Sequence, residues 1–453
     1  MLVKVSENVE IVDYDSEVLD WALKNLVVAN PEWFRAKRMG RWLGGIEREF
    51  KLFERRGNVL ILPFGSFATI YPLLKLKDAV IKTDFAPHRP INLIGDINLY
   101  DYQKTAMIKM VEYKNGILEA PCGSGKTQIG LALIKQLGLK ALWLTHTYDL
   151  LNQSMNRAKQ YMSGDFGTIT NGEVNIGKDI TFATVQTMVD LDLPKLKHEW
   201  DVIIIDECHK VAGSPTKVMM FYKVLSNLSA RYKFGLSATV HRSDNLIEST
   251  FAILGPVIHR ITDSDVGTKI IKARQLEIQT GLPDSMDYLG YDGVVDYNKI
   301  LDYVIKNEVR NHLIASHIRM EKDNHHILVL SVRIDHLEKL RELVGEGVIV
   351  TGKTPRVERD LIFAQARKGD VKIIFATFQL AKEGLDIPIL DRLFMTTPQK
   401  DFAIIKQSVG RIERNIEGKG KPIVFDFIDE HVPYLAKLAK KRKSIFKKML
   451  IND

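Results

Sequence analysis

Residues 120–127 read Ala120-Pro-Cys-Gly-Ser-Gly-Lys-Thr127, a glycine-rich turn between two segments of different period. Before it, Gly116-Ile-Leu-Glu-Ala120 has the apolar run of a short buried strand; after it, Gln128-Ile-Gly-Leu-Ala-Leu-Ile-Lys135 has helical spacing. A strand–loop–helix of this kind cradles phosphate, because glycines let backbone N–H groups turn inward and the helix presents its positive end. Lys126 is then placed to reach the β- and γ-phosphates of a nucleotide, and the Thr127 hydroxyl to ligate Mg²⁺. Ala120, Pro121, Cys122, Gly123, Ser124 and Gly125 form the rest of the cradle.

About eighty residues downstream, Asp201-Val-Ile-Ile-Ile-Asp206-Glu207-Cys208-His209 ends a buried strand on two adjacent carboxylates. Paired acids there are costly without a cation, so a metal–nucleotide partner is implied. Asp206 is expected to hold Mg²⁺, directly or through water, and Glu207 to orient and deprotonate an attacking water. His209 has no His/Cys neighbours at metal-ligand spacing and reads as a hydrogen-bond relay from this site to the rest of its lobe. The two cysteines, Cys122 and Cys208, both fall inside these motifs, so thiol alkylation is expected to lower ATP hydrolysis.

The same alternation of apolar strand, polar turn and amphipathic helix runs from about residue 89 to 265, with Ala141-Leu-Trp-Leu-Thr, Ile180-Thr-Phe-Ala-Thr and Val202-Ile-Ile-Ile-Asp as strands. It restarts near residue 300 with Ile327-Leu-Val-Leu-Ser, Val348-Ile-Val-Thr, Ile373-Ile-Phe-Ala-Thr and Ile423-Val-Phe-Asp. Unbroken apolar runs followed by helical periods indicate parallel sheets covered on both faces. The fold class is α/β, with two tandem lobes preceded by a small α+β domain. The expected divisions are 1–88, 89–265, a polar connection over 266–300, 301–430, and a basic helix over 431–453. Ligands of such sheets bind at the strand C-termini.

The chain has 453 residues, 45% hydrophobic and 26% charged, with a formal net charge of +8. That balance excludes general disorder and favours a polyanion partner. Two cysteines cannot build a disulfide framework, and the N-terminus does not read as a signal peptide, so a reducing cytoplasm is expected. No apolar run is long enough to span a bilayer.

Taken together, these motifs resemble the DEAD/DEAH-type superfamily-2 helicases over about residues 95 to 430. Asp206-Glu-Cys-His209 is similar to their name-giving box, and Gly235-Leu-Ser-Ala-Thr239 to their third motif, which implies that Ser237, Ala238 and Thr239 act with His209 in coupling. Glu383-Gly-Leu-Asp-Ile-Pro388 resembles the fifth motif, with Gly384 and Asp386 at the nucleotide, and Gln407-Ser-Val-Gly-Arg-Ile-Glu-Arg414 the sixth. Leu99-Tyr-Asp-Tyr-Gln103 looks like the adenine-reading segment, with Tyr100 and the Gln103 amide at the base. Ala120 departs from the usual first glycine of the loop. The resemblance implies two RecA-like lobes, ATP and Mg²⁺ as cofactors, and Gln407, Arg411 and Arg414 in catalysis. The two arginines are three residues apart, as if on one helix face, and the resemblance makes them fingers reaching the γ-phosphate from the second lobe. It also implies polymer contacts at Thr147, Tyr148, Thr184, Gln186, Thr187, Arg333, Thr351, Gly352 and Thr377.

Two further features narrow the resemblance. Thr239-Val-His-Arg242-Ser-Asp244 and Phe251-Ala-Ile-Leu-Gly-Pro256 are similar to the XPB-like DNA helicases, with Ser243 where those carry glutamate. Arg242 joins the expected DNA contacts. Asn30-Pro-Glu-Trp-Phe-Arg-Ala-Lys-Arg-Met-Gly-Arg-Trp-Leu, Asn58-Val-Leu-Ile-Leu-Pro-Phe-Gly65 and Lys306-Asn-Glu-Val-Arg-Asn311 resemble the phage UvsW-type branch-migration helicases. Between residues 33 and 56, Trp33, Phe34, Trp42, Phe50 and Phe53 alternate with cations that include Arg38 and Arg41, a pattern suited either to stacking on unpaired bases or to a small core with a charged rim. The tail, Leu435 to Leu450, reads as a basic amphipathic helix with a Leu435, Leu438, Ile445 and Met449 stripe. Its lysines and Arg442 project elsewhere, as a DNA-backbone tether docked on the second lobe.

The expected function is an ATP-dependent DNA helicase that remodels branched DNA, acting as a monomer in the cytoplasm of a phage-infected host. An RNA or RNA–DNA helicase and an ATP-gated DNA clamp are the alternatives.

Overall fold

Ala141–Thr145, Ile180–Thr184 and Val202–Asp206 are strands in which all five residues are buried, so their unbroken apolar runs reflect cover on both faces. The computed structural model describes the chain except residues 41, 122, 212–218, 239, 241–246, 268–270, 286, 291–292, 384, 386 and 450–453. It divides into two compact units, Met1–Asp265 and Val266–Asp453.

The first unit contains two main sheets. A five-stranded sheet runs Glu54–Arg56, Val59–Pro63, Asn8–Val12, Leu2–Val5, Val80–Thr83, with only the last pair parallel. Alternation in Val3/Val5, Val9/Ile11 and Leu60/Leu62 turns one face inward, onto helices Ser16–Asn25 and Phe67–Leu76. The eight-stranded sheet runs Glu173–Asn175, Phe166–Thr170, Ile180–Thr184, Ala141–Thr145, Val202–Asp206, Tyr232–Ser237, Asn115–Glu119, Val257–Arg260. It is parallel except for its first strand.

The two sheets share packing. Ala252, from helix Ile247–Leu254, sits in the core of the smaller sheet. Gly65 approaches Gly255 so closely that a Cβ would meet its nitrogen at 2.2 Å. Asn8 Nδ2 donates to Ser226 O at 3.1 Å, and Lys197 Nζ bridges Glu7 Oε2 at 3.0 Å and Asp84 Oδ2 at 3.1 Å. Lys233, only 1% exposed, donates from Nζ to Leu225 O at 3.3 Å and Glu7 O at 3.5 Å, 4.4 Å from the Phe64 ring centroid. Burial pulls its pKa down to about 7.

The second unit holds a six-stranded parallel sheet in the order Arg274–Gln279, Ile423–Ile428, Arg392–Met395, Ile327–Ser331, Ile373–Thr377, Val348–Val350. The expectation of a plain polar connection over 266–300 is corrected here: Arg274–Gln279 is an edge strand, and its polar alternation reflects exposure along that edge. Asn307 caps helix Glu308–Glu321. Arg310 is buried on Asp429, with Nε to Oδ1 at 2.7 Å and Nη2 to Oδ2 at 3.2 Å. Asn311 bonds Ile305 O at 2.7 Å and lies 3.0 Å from His336 Nε2. The Lys306–Asn311 segment is thus a cap, a buried ion pair and an amide bridge in sequence.

The tail forms helix Pro433–Met449, buried along Leu435, Leu438, Ala439, Arg442 and Phe446. Arg442 departs from the expected solvent-facing tether: its Nε bonds Asp426 Oδ1 at 2.9 Å with both side chains nearly inaccessible, so it anchors the helix on the sheet. Lys437, Lys440, Lys441, Lys443, Lys447 and Lys448 remain exposed. Among the described residues, no helix is long and apolar enough to cross a membrane.

Removing one partner of a buried ion pair strands the other charge. Arg310→Leu should therefore destabilise the second unit by about 3–5 kcal/mol in a urea melt, with Asp429→Asn added to it recovering part of the loss. A lysine whose folded pKa is depressed binds fewer protons folded than unfolded, so the first unit should gain stability as pH rises from about 7 towards 10. Lys233→Met should flatten that slope in melts taken across this range.

Candidate active site

The order of the eight-stranded sheet sets the site. Three adjacent strands, Val202–Asp206, Tyr232–Ser237 and Asn115–Glu119, end in Asp206-Glu207, Ser237-Ala238 and the phosphate loop. Register pairs Asp206 with Leu236 and Ser237 with Glu119, so the three loops leave the sheet side by side. Ala120 N donates to Ser237 O at 2.9 Å and ties the start of the loop to the neighbouring strand.

Gly123 and Gly125 both have φ of 82°, and a Cβ on Gly125 would meet Gln103 Nε2 at 2.3 Å and Gln128 Oε1 at 2.4 Å. Only glycine suits that backbone. Helix Lys126–Leu137 starts directly after it. Lys126 Nζ folds over the loop carbonyls of Ala120 (3.1 Å) and Pro121 (3.4 Å), and Ser124 Oγ donates to Pro121 O at 2.7 Å. Gln103, expected at the adenine, is 1% exposed: its Oε1 accepts from Tyr100 N at 3.0 Å and its Nε2 donates to Ser124 O at 2.8 Å. Its amide therefore clamps the phosphate loop to helix Asp101–Tyr113. Tyr100 is 52% exposed and stacks on Tyr102 at 5.9 Å.

Asp206 is buried, its carboxyl pushed up to about 7 by burial and by the charge of Glu207, with Lys126 opposing the shift. Glu207 sits in the left-handed region, φ 51° and ψ 49°, a strained backbone for a residue with a Cβ. His209 Nδ1 lies 3.2 Å from Glu207 Oε2 and 3.1 Å from Ser237 Oγ. One ring nitrogen thus stands within reach of both groups. Ser237 and Ala238 are fully buried. Cys208 is also fully buried, its thiol pushed well up by burial and the neighbouring carboxylates. Its Sγ would lie 2.6 Å from a Cβ on Gly235. The expected effect of thiol alkylation therefore cannot come from Cys208 in the native protein.

These residues fit Mg²⁺–nucleotide. A buried carboxylate beside a second acid is the group a divalent cation would neutralise. Among the described residues no cluster of three or more His, Cys, Asp or Glu could hold a metal unaided. A cation held by Asp206 and Thr127 would complete its shell with phosphate oxygens and water, the usual Mg²⁺ arrangement.

The other half of the same sheet carries a separate cavity. Thr147, Tyr148, Thr184, Gln186 and Thr187 line one cavity of about 690 Å³ at the ends of Ala141–Thr145 and Ile180–Thr184. Gln186 Nε2 donates to His146 O at 2.6 Å and Thr184 Oγ1 lies 3.2 Å from Thr187 Oγ1. Thr170, Asn171, Gly172 and Asp190 also line it and were missed. The Asn171-Gly172 hairpin signal was present in the sequence: φ values of 52° and 79° make the two-residue turn that this dipeptide favours. Among the described residues, no lysine or arginine lines the cavity.

In the second unit, Arg333, Thr351-Gly352 and Thr377 follow three adjacent strands. Arg333 is held by Asp302 at 2.9 Å and Asp335 at 2.8 Å. Thr351 Oγ1 accepts from Lys353 N at 3.1 Å, and Thr377 Oγ1 from Leu380 N at 3.3 Å, so both hydroxyls serve as local caps. Gln407 is 2% exposed in helix Phe402–Gly410. The expectation of one helix face for Arg411 and Arg414 is corrected: that helix ends at Gly410, Arg411 is its C-cap, and Arg414 lies beyond. Arg411 Nε donates to Ala381 O at 2.8 Å, joining the sixth motif to the helix of the fifth. Arg38 and Trp42 are exposed on the N-terminal region. Arg41, Cys122, Thr239, Arg242, Gly384 and Asp386 lie outside the described residues.

Residues 96–242 match the family "Type III restriction enzyme, res subunit", and residues 306–415 match "Helicase conserved C-terminal domain". The DNA 3'-5' translocase XPB2 of Sulfurisphaera tokodaii is 27% identical over 69% of this chain and 78% of its own length. A protein of Acanthamoeba polyphaga mimivirus that carries the name of an ATP-dependent RNA helicase is 27% identical over 76% of this chain and 66% of its own. The structure of S. cerevisiae Dbp5 bound to RNA and ADP BeF3 aligns over 77% of this chain and 87% of its own, at 15% identity and a TM-score of 0.55. The crystal structure of T4 UvsW aligns over 100% of this chain and 98% of its own, at 18% identity and a TM-score of 0.42. The chain belongs to the superfamily-2 helicases, ATP-dependent enzymes built on tandem RecA-like lobes, and is similar to DNA helicases of the XPB type.

With its thiol buried and held protonated, Cys208 should stay unmodified by iodoacetamide in the native protein and react only after denaturation, as read by peptide mass spectrometry.

Proposed function

We propose that this chain is a DNA motor that uses ATP hydrolysis to remodel branched DNA, by junction migration, fork reversal or unwinding, in phage replication, recombination or repair. The observation that carries the reading is the division of one sheet. Nucleotide-type loops end three adjacent strands, polymer-type loops end the next two, and His209–Ser237 links Glu207 to the third motif.

In this reading Lys126 binds the phosphates, Glu207 orients and deprotonates water, and Gln407, Arg411 and Arg414 come from the second lobe as it closes. Mg²⁺ held by Asp206 and Thr127 would supply neutralisation of phosphate charge. Closure then links hydrolysis to movement along the strand. Thr147, Tyr148, Thr184, Gln186 and Thr187 would hold the backbone through hydroxyls and amides, which position a strand without reading bases. Arg333, Thr351, Gly352 and Thr377 would do so from the second lobe. Residues 1–88 would engage DNA, and the exposed lysines of the tail would add phosphate contacts.

The XPB-like segment after the third motif favours DNA, and the UvsW-like N-terminal segments favour branched DNA. An RNA substrate is the second reading, and the name of the mimivirus relative favours it. The protein is expected to act as a monomer in the host cytoplasm.

A mobile four-way junction, a forked duplex, an RNA duplex and single strands, each with and without ATP, test the proposal. Junction or fork conversion should require ATP and vanish in Lys126→Ala, and Arg414→Ala should lower DNA-stimulated kcat on the order of 10³-fold. Conversion of the RNA duplex alone would move the assignment to RNA. ATP-dependent binding without strand exchange would leave a clamp.

A further inference from the structure

Residues 30–48 leave the small sheet as an arm. Its base is the two-stranded ribbon of Val27–Ala29 and Glu49–Lys51. Asn30, 3% exposed, ties the base: its N–H donates to Arg48 O at 2.9 Å and its Nδ2 to Glu47 O at 2.7 Å. The arm consists of helix Pro31–Arg38 and the loop that follows.

Among its described residues only Asn30 and Ala36 are buried. Yet Phe34 is 40%, Met39 59% and Trp42 83% exposed. The chain had a core available for such groups, because Phe50 and Phe53, a few residues on, are 7% and 5% exposed. Those two therefore leave the set of stacking candidates, whereas Phe34 and Trp42 on the arm stay exposed. The Trp42 ring rests against Gly44, where a Cβ would meet it at 1.9 Å, so a side chain there would displace the ring.

Cations crowd the same arm. Its described residues include Arg35, Lys37, Arg38 and Arg48, against two acids, Glu32 and Glu47. Lys37 Nζ lies 5.0 Å and the Arg48 guanidinium 5.7 Å from the Trp33 ring, which packs edge-on to Phe34 at 5.0 Å. A partner for this surface must offer flat apolar faces and negative charge together. Single-stranded nucleic acid does so, because its bases are unstacked and its phosphates adjacent. Intact duplex hides the base faces.

We propose that the arm is the strand-engaging element at the branch point, with Trp42 stacking on the first unpaired base, Phe34 on its neighbour, and Arg35, Lys37 and Arg38 on the flanking phosphates. The small sheet packs firmly on the motor sheet through Lys233, Glu7 and Gly65, so the arm is carried by the first lobe. This inference rests on the proposed DNA-remodelling function.

The test uses the full chain and a forked DNA with 2-aminopurine at the first unpaired nucleotide. Wild type should change the 2-aminopurine fluorescence on binding. Trp42→Ala should abolish the change and weaken binding to single strands by about 5- to 100-fold, whereas Trp42→Phe should retain both. The thermal midpoint of Trp42→Ala should match wild type, since the ring is exposed. Fork unwinding should fall with the loss of stacking. A full fluorescence change in Trp42→Ala, with unwinding at the wild-type rate, would overturn the proposal and leave the motor reading intact. A Trp42-dependent fluorescence change in a protein that unwinds no fork would instead uphold the arm and remove the proposed remodelling.

Discussion

Two adjacent carboxylates at the end of a buried strand are the constraint around which the first unit is organised. Asp206 cannot be comfortably ionised where it stands, and Glu207 beside it occupies a backbone conformation that costs free energy. Such a pair persists because the surroundings determine it on every side: Lys126 from the neighbouring loop, His209 on the next turn, and Ser237 on the adjacent strand. A cation and phosphate bound here would relieve that charge, and the backbone strain of Glu207 lies beside it.

One face of the Tyr232–Ser237 strand joins this site to the rest of the unit. At two-residue intervals it presents Lys233 to the small sheet, Gly235 to Cys208, and Ser237 to His209. Gly235 is required because Cys208 fills the space a side chain would take. Lys233 is held by carbonyl oxygens and an aromatic ring, with its charge weakened by burial. The small N-terminal sheet is thus bonded to the same strand that carries the third motif.

Charge and neutral contact are separated across the first unit. The cavity at the ends of Ala141–Thr145 and Ile180–Thr184 is lined mainly by hydroxyls and amides, with His146, Leu191 and one acid, whereas cations concentrate on the N-terminal arm. In the second unit the tail helix exposes six lysines, whereas Arg310 and Arg442 are withdrawn into ion pairs with Asp429 and Asp426. Net positive charge is a poor guide to which cations are free, since some of the most arginine-like motifs are structural.

The motif loops, the α/β class and the positions of the main strands were legible in the sequence, because strand–loop–helix patterns and fully apolar runs are properties of windows of a few residues. The same windows hid what depends on distant partners. Arg442 looked like a surface charge until Asp426, 16 residues away in sequence, paired with it, and Arg310 is explained only by Asp429, 119 residues on. Likewise Phe50 and Phe53 went into a core while Trp42 stayed in water, the Gln103 amide closed on the phosphate loop, and Arg411 capped a helix instead of extending it. Local periodicity determines which segments become strands and helices. Whether a given polar or aromatic side chain is buried is decided by what the tertiary fold brings against it, because the cost of desolvation is met only by a partner at hydrogen-bond distance.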